Sequence, residues 1–367
     1  MTYILFFFIA LFVSGIKFAE PNQFHDDYMS KKQTTTINGI FVFLVFLSHG
    51  AQYISLAGPS NLLYVHLRSF LGQAVVTTFL FYSGYGMMNS IQRKGQSYVR
   101  EMPLKAFKLL LQFDIAVIFY LLSGLVIDRI YTPKQILLGL STWTSVGNSN
   151  WYITAMIILC LIIGLSFTVT RGKQIFGIIL TTLLTMGVVF LLMKIERPAY
   201  TYNTMICLPA GMLFAYFKPQ IDKIIKSDLM YLVVCLLIFS VMSYSRIHIK
   251  SGIEMYAIWS VLFAVAFAIF TKKIKIENSF VEWLGEHIFS IYILQRIPMN
   301  ILRFYGINKH PFIFIGISFF VTLISAILFD KYVMKFVDTV VDKLRKLLFE
   351  RNSKKTTEKQ KIQTESV

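Results

Sequence analysis

Apolar stretches of roughly 20 residues follow one another along almost the whole chain, separated by short polar loops. A helix needs about 20 residues to cross the hydrocarbon core of a bilayer, and only helices or closed barrels satisfy their backbone polar groups there. The stretches read as Tyr3–Lys17, a segment running from Ile37 through His49, Ser69–Ile91, Leu104–Ile127, Trp151–Val169 and Gln174–Met193. They continue with Tyr202–Phe217, Leu229–Tyr244, Ile253–Thr271, Trp283–Leu302 and Pro311–Val333. The expected fold is therefore all-α, a polytopic transmembrane helix bundle of about eleven spans. With 56% of its 367 residues hydrophobic and only 15% charged, the chain carries more apolar surface than a soluble domain of this size needs.

Tyr3–Lys17 has no basic segment before its apolar run and no small-residue cleavage site after it, so residues 1–19 read as a retained additional span. A membrane domain over residues 37–334 follows, and Ile136–Thr142 is too short to cross. From Lys331 the apolar positions recur with helical spacing between Lys and Arg, which predicts a basic amphipathic helix lying along the cytoplasmic leaflet as an anchor. Residues after Asn352 are polar and charged and read as disordered.

A net charge of +17 raises nucleic acid as a partner, but the cations fall in alternate loops. One set holds Lys31, Lys32, Arg93, Lys94, Arg100, Lys105 and Lys108, with more near residues 171–173, 218–226 and 272–275. The other set holds far fewer, among them Arg68, Arg129, Arg246 and Arg303. The positive-inside rule accounts for this bias, places the N-terminus outside and the C-terminus in the cytoplasm, and leaves no nucleic-acid partner to invoke. Cys160, Cys207 and Cys235 lie within apolar spans at unrelated spacings and form neither a disulfide framework nor a metal motif.

Polar islands inside the apolar spans are the candidate functional positions. His49 is an ionisable group roughly 18 Å from Ile37 along its helix, past the midplane, and is either a satisfied neutral imidazole or a working one. Phe79–Gly86 carries Tyr82, Ser83, Gly84, Tyr85 and Gly86, and Arg93, Lys94, Arg100, Lys105 and Lys108 follow it. The small residues serve either helix packing or close approach of a ligand, and the cations either topology or an anionic cofactor. Asn148–Tyr152 contains Trp151 and Tyr152, which also suit an aromatic belt. Leu284–Pro298 holds Ser290, Tyr292, Gln295 and Arg296, and Asp114 is a candidate partner for Arg296.

Taken together, these islands resemble the acyltransferase 3 family of bacterial integral-membrane O-acyltransferases, of the polysaccharide O-acetyltransferase type. The resemblance rests on His49, Ser83-Gly84-Tyr85, the cations from Arg93 to Lys108, Trp151-Tyr152-Ile153 and Leu284-Gly285 with Ser290, Ile291 and Tyr292. Three positions depart from the family pattern. Asn38 stands where a basic residue precedes the His by eleven positions, Met156 where a carboxylate often follows the Trp, and Gln295 where a late His is found.

The resemblance implies a multi-pass bacterial plasma-membrane enzyme. It would move an acyl group, most often acetyl, from cytoplasmic acetyl-CoA to a hydroxyl of a cell-surface or exported polysaccharide, or of its lipid-linked precursor. His49 would be the general base, with Asn38 and Ser48 as the other catalytic positions. Arg93, Lys94, Arg100, Ser83 and Tyr85 would hold the acyl-CoA, and Trp151, Tyr152, Tyr292, Gln295 and Arg296 the carbohydrate acceptor. No metal is implied. The rival class is a transporter or flippase of lipid-linked sugars, which would also show many spans and a few buried polar groups.

Overall fold

The computed structural model describes residues 1–350, so the polar tail expected after Asn352 lies outside the described residues. The architecture is almost wholly helical, with one small two-stranded sheet. Among the described residues, six helices are long and apolar enough to cross a membrane: Met102–Val126, Trp151–Val169, Gln174–Lys194, Asp228–Ile247, Ile253–Phe270 and Pro311–Leu348. The remaining five expected spans depart from that standard for identifiable reasons.

The first helix, α1 (Thr2–Val13), has only 12 residues and gives way to strand β1 (Ile16–Phe18). Its N-terminal ammonium donates to Asn61 Oδ1 at 3.0 Å, whereas β1 pairs antiparallel with β2 (Ile274–Ile276). Helix α2 (Lys31–Gly50) carries His49, and α4 (Ala74–Lys94) the Ser-Gly-Tyr element; both are long, with polar residues interspersed. Cys207–Ile224 ends in Lys218, Asp222 and Lys223. The segment read as one span, Trp283–Leu302, is broken into Ser279–Glu286, Ile288–Leu294 and Arg296–Phe304, with junctions at His287 and Gln295.

The span expected to begin at Ser69 starts later. Helix α3 (Leu62–Leu71) is a separate amphipathic piece, and Gly72, with φ of 48°, turns the chain into α4. An L-side chain is strained at that φ, so the turn favours glycine. The stretch near Ile136, read as too short to cross, is the short helix Pro133–Leu140, closed at its start by a capping box between Thr132 and Gln135.

Two close helix crossings set the frame of the core. A Cβ on Gly84 would run into Leu208 O, and one on Gly211 into Phe81 O, so α4 and Cys207–Ile224 meet backbone to backbone. Gly39 and Gly285 do the same for α2 and Ser279–Glu286, against Val281 O and Thr35 O. Glycine at such crossings is the small-residue packing of membrane helices, and it settles the role of Gly84.

The start of α2 is pinned by Gln33, whose buried amide donates to Ile276 O at 3.2 Å and accepts from Ile276 N at 3.1 Å. At the same end, Asp222 accepts from Tyr28, Lys218 and Lys272 at 2.9, 2.6 and 2.6 Å. Burial and the adjacent Asp222 hold the Tyr28 phenol well above its usual range, so it remains a donor. Beyond the last span the helix continues through a π-helical stretch, Phe329–Met334, into Lys335–Arg345. Val337 and Val341 are buried, and Lys108 pairs with Asp338 and Arg345 with Glu101, so this stretch packs on Met102–Val126. The basic amphipathic helix therefore has a protein partner on its apolar face.

Candidate functional site

His49 is the penultimate residue of α2, roughly 27 Å along the axis from Lys31 at 1.5 Å per residue. The imidazole thus sits at the mouth of the bundle farthest from the Gln33 and Asp222 cluster. It is half-buried and lines two adjoining cavities of about 390 and 560 Å³, which also share Gln52 and Trp151.

The smaller cavity is mainly apolar. Val45 of α2, Val65 and Arg68 of α3, Val75 and Val76 of α4, Trp151 and Tyr292 enclose it, with Ser48 on the wall. Arg68 Nε donates to Ser48 Oγ at 3.2 Å and so ties α3 to α2. The larger cavity is polar, and its lining includes Tyr53, Arg129, Asn148, Ser149, Arg296 and Arg303. Arg296 is half-buried at its base and reaches three neighbours: Ser149 Oγ at 2.9 Å, Tyr53 Oη at 3.2 Å and Gln52 Oε1 at 2.9 Å. Tyr53 in turn donates to Asn300 Oδ1 at 2.8 Å. Arg129 and Arg303 are exposed at the rim, over the rings of Tyr131 and Tyr53.

The break at Gln295 serves this site. Ending one helix at Leu294 and starting another at Arg296 lets Gln295 remain fully buried while Arg296 enters the cavity. Gln295 donates to Tyr292 O at 3.0 Å, and its Oε1 is buried without a partner, near the imidazole of His49. His49 Nδ1 is likewise buried and unpartnered. Tyr292 lies 6.2 Å from the His49 ring and 5.5 Å from that of Tyr152, centroid to centroid. Tyr152 packs behind it on Phe79 and Trp151.

The structure thus gathers Ser48, His49, Trp151, Tyr152, Tyr292, Gln295 and Arg296 from α2, Trp151–Val169 and the broken segment. The expected pairing of Arg296 with Asp114 does not form. Arg296 is satisfied by neutral acceptors, and Asp114 Oδ1 is buried without a partner on Met102–Val126. Arg93, Lys94 and Arg100 are exposed at the opposite face, Arg93 being roughly 27 Å along α4 from Val75. Of the other cations there, Lys105 lies over the Tyr98 ring at 3.1 Å from its centroid, and Lys108 pairs with Asp338.

Asn38 lies three turns before His49 on the same side of α2, its Oδ1 buried and unpartnered. On α4, Val75, Tyr82, Gly86 and Arg93 are spaced by seven, four and seven residues, so one stripe joins the smaller cavity to the opposite face. Tyr82 is buried with an unpartnered hydroxyl, and a Cβ on Gly86 would meet nothing within 4 Å. Ser83 and Tyr85 flank that stripe. The sequence reading did not assign Gln52, Tyr53 or Asn300 to the site, and it used Arg68, Arg129 and Arg303 only for orientation. The signal available was that these arginines are cations on the side otherwise poor in them.

No curated protein and no solved structure matches this chain. A family model described as an acyltransferase domain matches residues 36–331, from α2 into the final span, and so includes every residue lining the two cavities. The chain is a membrane acyltransferase and belongs to the acyltransferase 3 family.

Proposed function

We propose that this enzyme transfers an acyl group, acetyl in the first instance, from cytoplasmic acyl-CoA to a hydroxyl of a cell-surface or exported carbohydrate, with His49 as general base. One observation carries the reading: a single imidazole stands where an apolar cavity and a polar cavity meet. A transfer between two substrates needs this layout, with the thioester on one side, the attacking hydroxyl on the other and the base within reach of both.

The chemistry follows from the neighbours of His49. An Nδ1–H donated to Gln295 Oε1 would satisfy both orphaned atoms and fix the tautomer in which Nε2 keeps its lone pair. Nε2 takes the acceptor proton as the hydroxyl oxygen attacks the thioester carbonyl. Collapse of the tetrahedral intermediate expels the CoA thiolate, and the proton returns to sulfur. Arg68 and Ser48 at the edge of the apolar cavity are the nearest candidates to stabilise the oxyanion.

Donor entry from the cytoplasmic face is supported by the α4 stripe. CoA phosphates suit the exposed cations Arg93, Lys94 and Arg100, and the pantetheine amides suit the unpartnered Tyr82 hydroxyl and Asn38 carbonyl along the way. Trp151, which lines both cavities, offers a face on which a sugar ring can stack, with Tyr292 on its apolar side and Tyr152 packed behind Tyr292. A carrier of lipid-linked sugars would use the polar cavity but would need no base beside a second, apolar one. Full-length protein in lipid nanodiscs, given radiolabelled acetyl-CoA and carbohydrate acceptors, distinguishes these readings. Covalent label on the carbohydrate supports the transferase, and carbohydrate binding without transfer supports the carrier.

A further inference from the structure

We infer that the larger cavity takes an anionic acceptor, a saccharide bearing phosphate or carboxylate groups, rather than a neutral one. Arg129, Arg296 and Arg303 line it, Arg68 lines the adjoining cavity, and no Asp or Glu lines either. None of the four arginines has a carboxylate partner among the described residues; their contacts are to neutral oxygens and aromatic rings. Asp128, next to Arg129 in sequence, is exposed and outside the lining. Asn148 adds a further donor, since its Nδ2 is buried within the same wall without a partner. Donors in excess with no acceptor of formal charge select a ligand that only accepts; Arg129 and Arg303, whose guanidiniums have no hydrogen-bond partner among the described residues, supply the forks that phosphate and carboxylate match, and Arg296 adds its charge.

Placement strengthens the inference. This cavity opens on the face that the charge bias makes extracytoplasmic, where cations are not needed for topology. Topology therefore does not explain why arginines converge there, and a ligand does. Within a half-enclosed cleft their fields also add and draw an anionic ligand toward His49.

The identity of the anion as acceptor rests on the acyl-transfer reading, but its binding does not, and the test separates the two. Binding to full-length protein in nanodiscs is measured for a neutral disaccharide, the same disaccharide carrying glucuronate, the same carrying a phosphodiester-linked glycerol, and free CoA. At least one charged disaccharide is expected to bind tenfold or more tighter than the neutral parent, and the stronger of the two identifies the anion. That preference should shrink at high salt and fall at least fivefold in Arg129→Gln and Arg303→Gln, with Arg303→Lys intermediate. Wild-type protein that prefers the charged disaccharide but transfers no acyl group to it would defeat the transferase reading alone and leave the binding inference standing. Equal binding of neutral and charged disaccharides overturns the inference. Loss of CoA binding, rather than sugar binding, in the arginine variants also overturns it, since it would place the donor's phosphates there.

Discussion

Gln295 and His49 are neighbours in the wall of the site, and Gln295 Oε1 and His49 Nδ1 are both buried without a hydrogen-bond partner. Paired, they would give a role to the residue found where the family pattern has a late histidine. An amide can hold an imidazole in one tautomer without competing for the proton that Nε2 would accept in the proposed mechanism. Gln295→Leu is expected to lower kcat by roughly 10- to 100-fold with little change in KM for either substrate, the range for losing one contributor to general-base catalysis. Gln295→Glu, which retains an acceptor, should keep more activity than Gln295→Leu. Steady-state kinetics on the purified variants check both, and a Gln295→Leu enzyme of wild-type kcat would remove the amide from the account.

Arg296 joins three parts of the site through one planar group, reaching Ser149, Tyr53 and Gln52. A lysine keeps the charge but cannot span three acceptors in a plane. Arg296→Lys is expected to cost about 1.5–3 kcal/mol for each charge-assisted bond it fails to remake, read as a lower unfolding midpoint and a raised KM for the acceptor. Thermal unfolding in detergent, run beside the kinetics, measures both.

Two glycines two residues apart on α4 should behave in opposite ways. A Cβ at Gly84 would strike the backbone of Leu208, which cannot swing aside, whereas one at Gly86 would meet open space. Gly84→Ala is expected to destabilise by at least about 1–3 kcal/mol through overpacking, while Gly86→Ala should be neutral or slightly stabilising in the helix. Unfolding midpoints of the two variants supply the comparison.

Lys272 is only 4% exposed, and its ammonium is neutralised by Asp222, which also holds Tyr28 and Lys218. Asp222→Asn leaves that cation without its counter-ion and should destabilise by about 3 kcal/mol, toward the low end for a broken buried pair because Asp222 is partly solvated. Lys272→Met combined with Asp222→Asn should recover part of the loss, which a double-mutant cycle on unfolding midpoints would show.

Much of the fold was legible because hydrocarbon imposes one length and one composition on a spanning helix. Trp151–Val169 begins and ends where its apolar run does, and the stretch near Ile136 was evidently too short to cross, as the eight-residue helix there is. Interruptions that depend on tertiary partners were not legible. The junction at His287 goes with Asp330, which binds His287 and Ser290 from the π-helical stretch Phe329–Met334, whereas the junction at Gln295 follows from Pro298, which has no N–H for Leu294 O. Within the site, His49, Trp151, Tyr292 and Arg296 stood out as polar or aromatic positions in apolar runs. Arg129 and Arg303 did not, because a loop arginine carries no sign in sequence of the cavity it will line. The Asp114–Arg296 pairing failed for a related reason: opposite charges in two spans say nothing of their rotation about the helix axes.

The central claim is that His49 removes the proton from the acceptor hydroxyl. Its most direct test is acyl transfer by His49→Ala in nanodiscs, measured by mass spectrometry of the acceptor carbohydrate, with binding of acyl-CoA and of the carbohydrate measured on the same preparation. Loss of transfer by at least 100-fold with both substrates still bound is the expected result. Acylation at near wild-type rate by that variant would contradict the account.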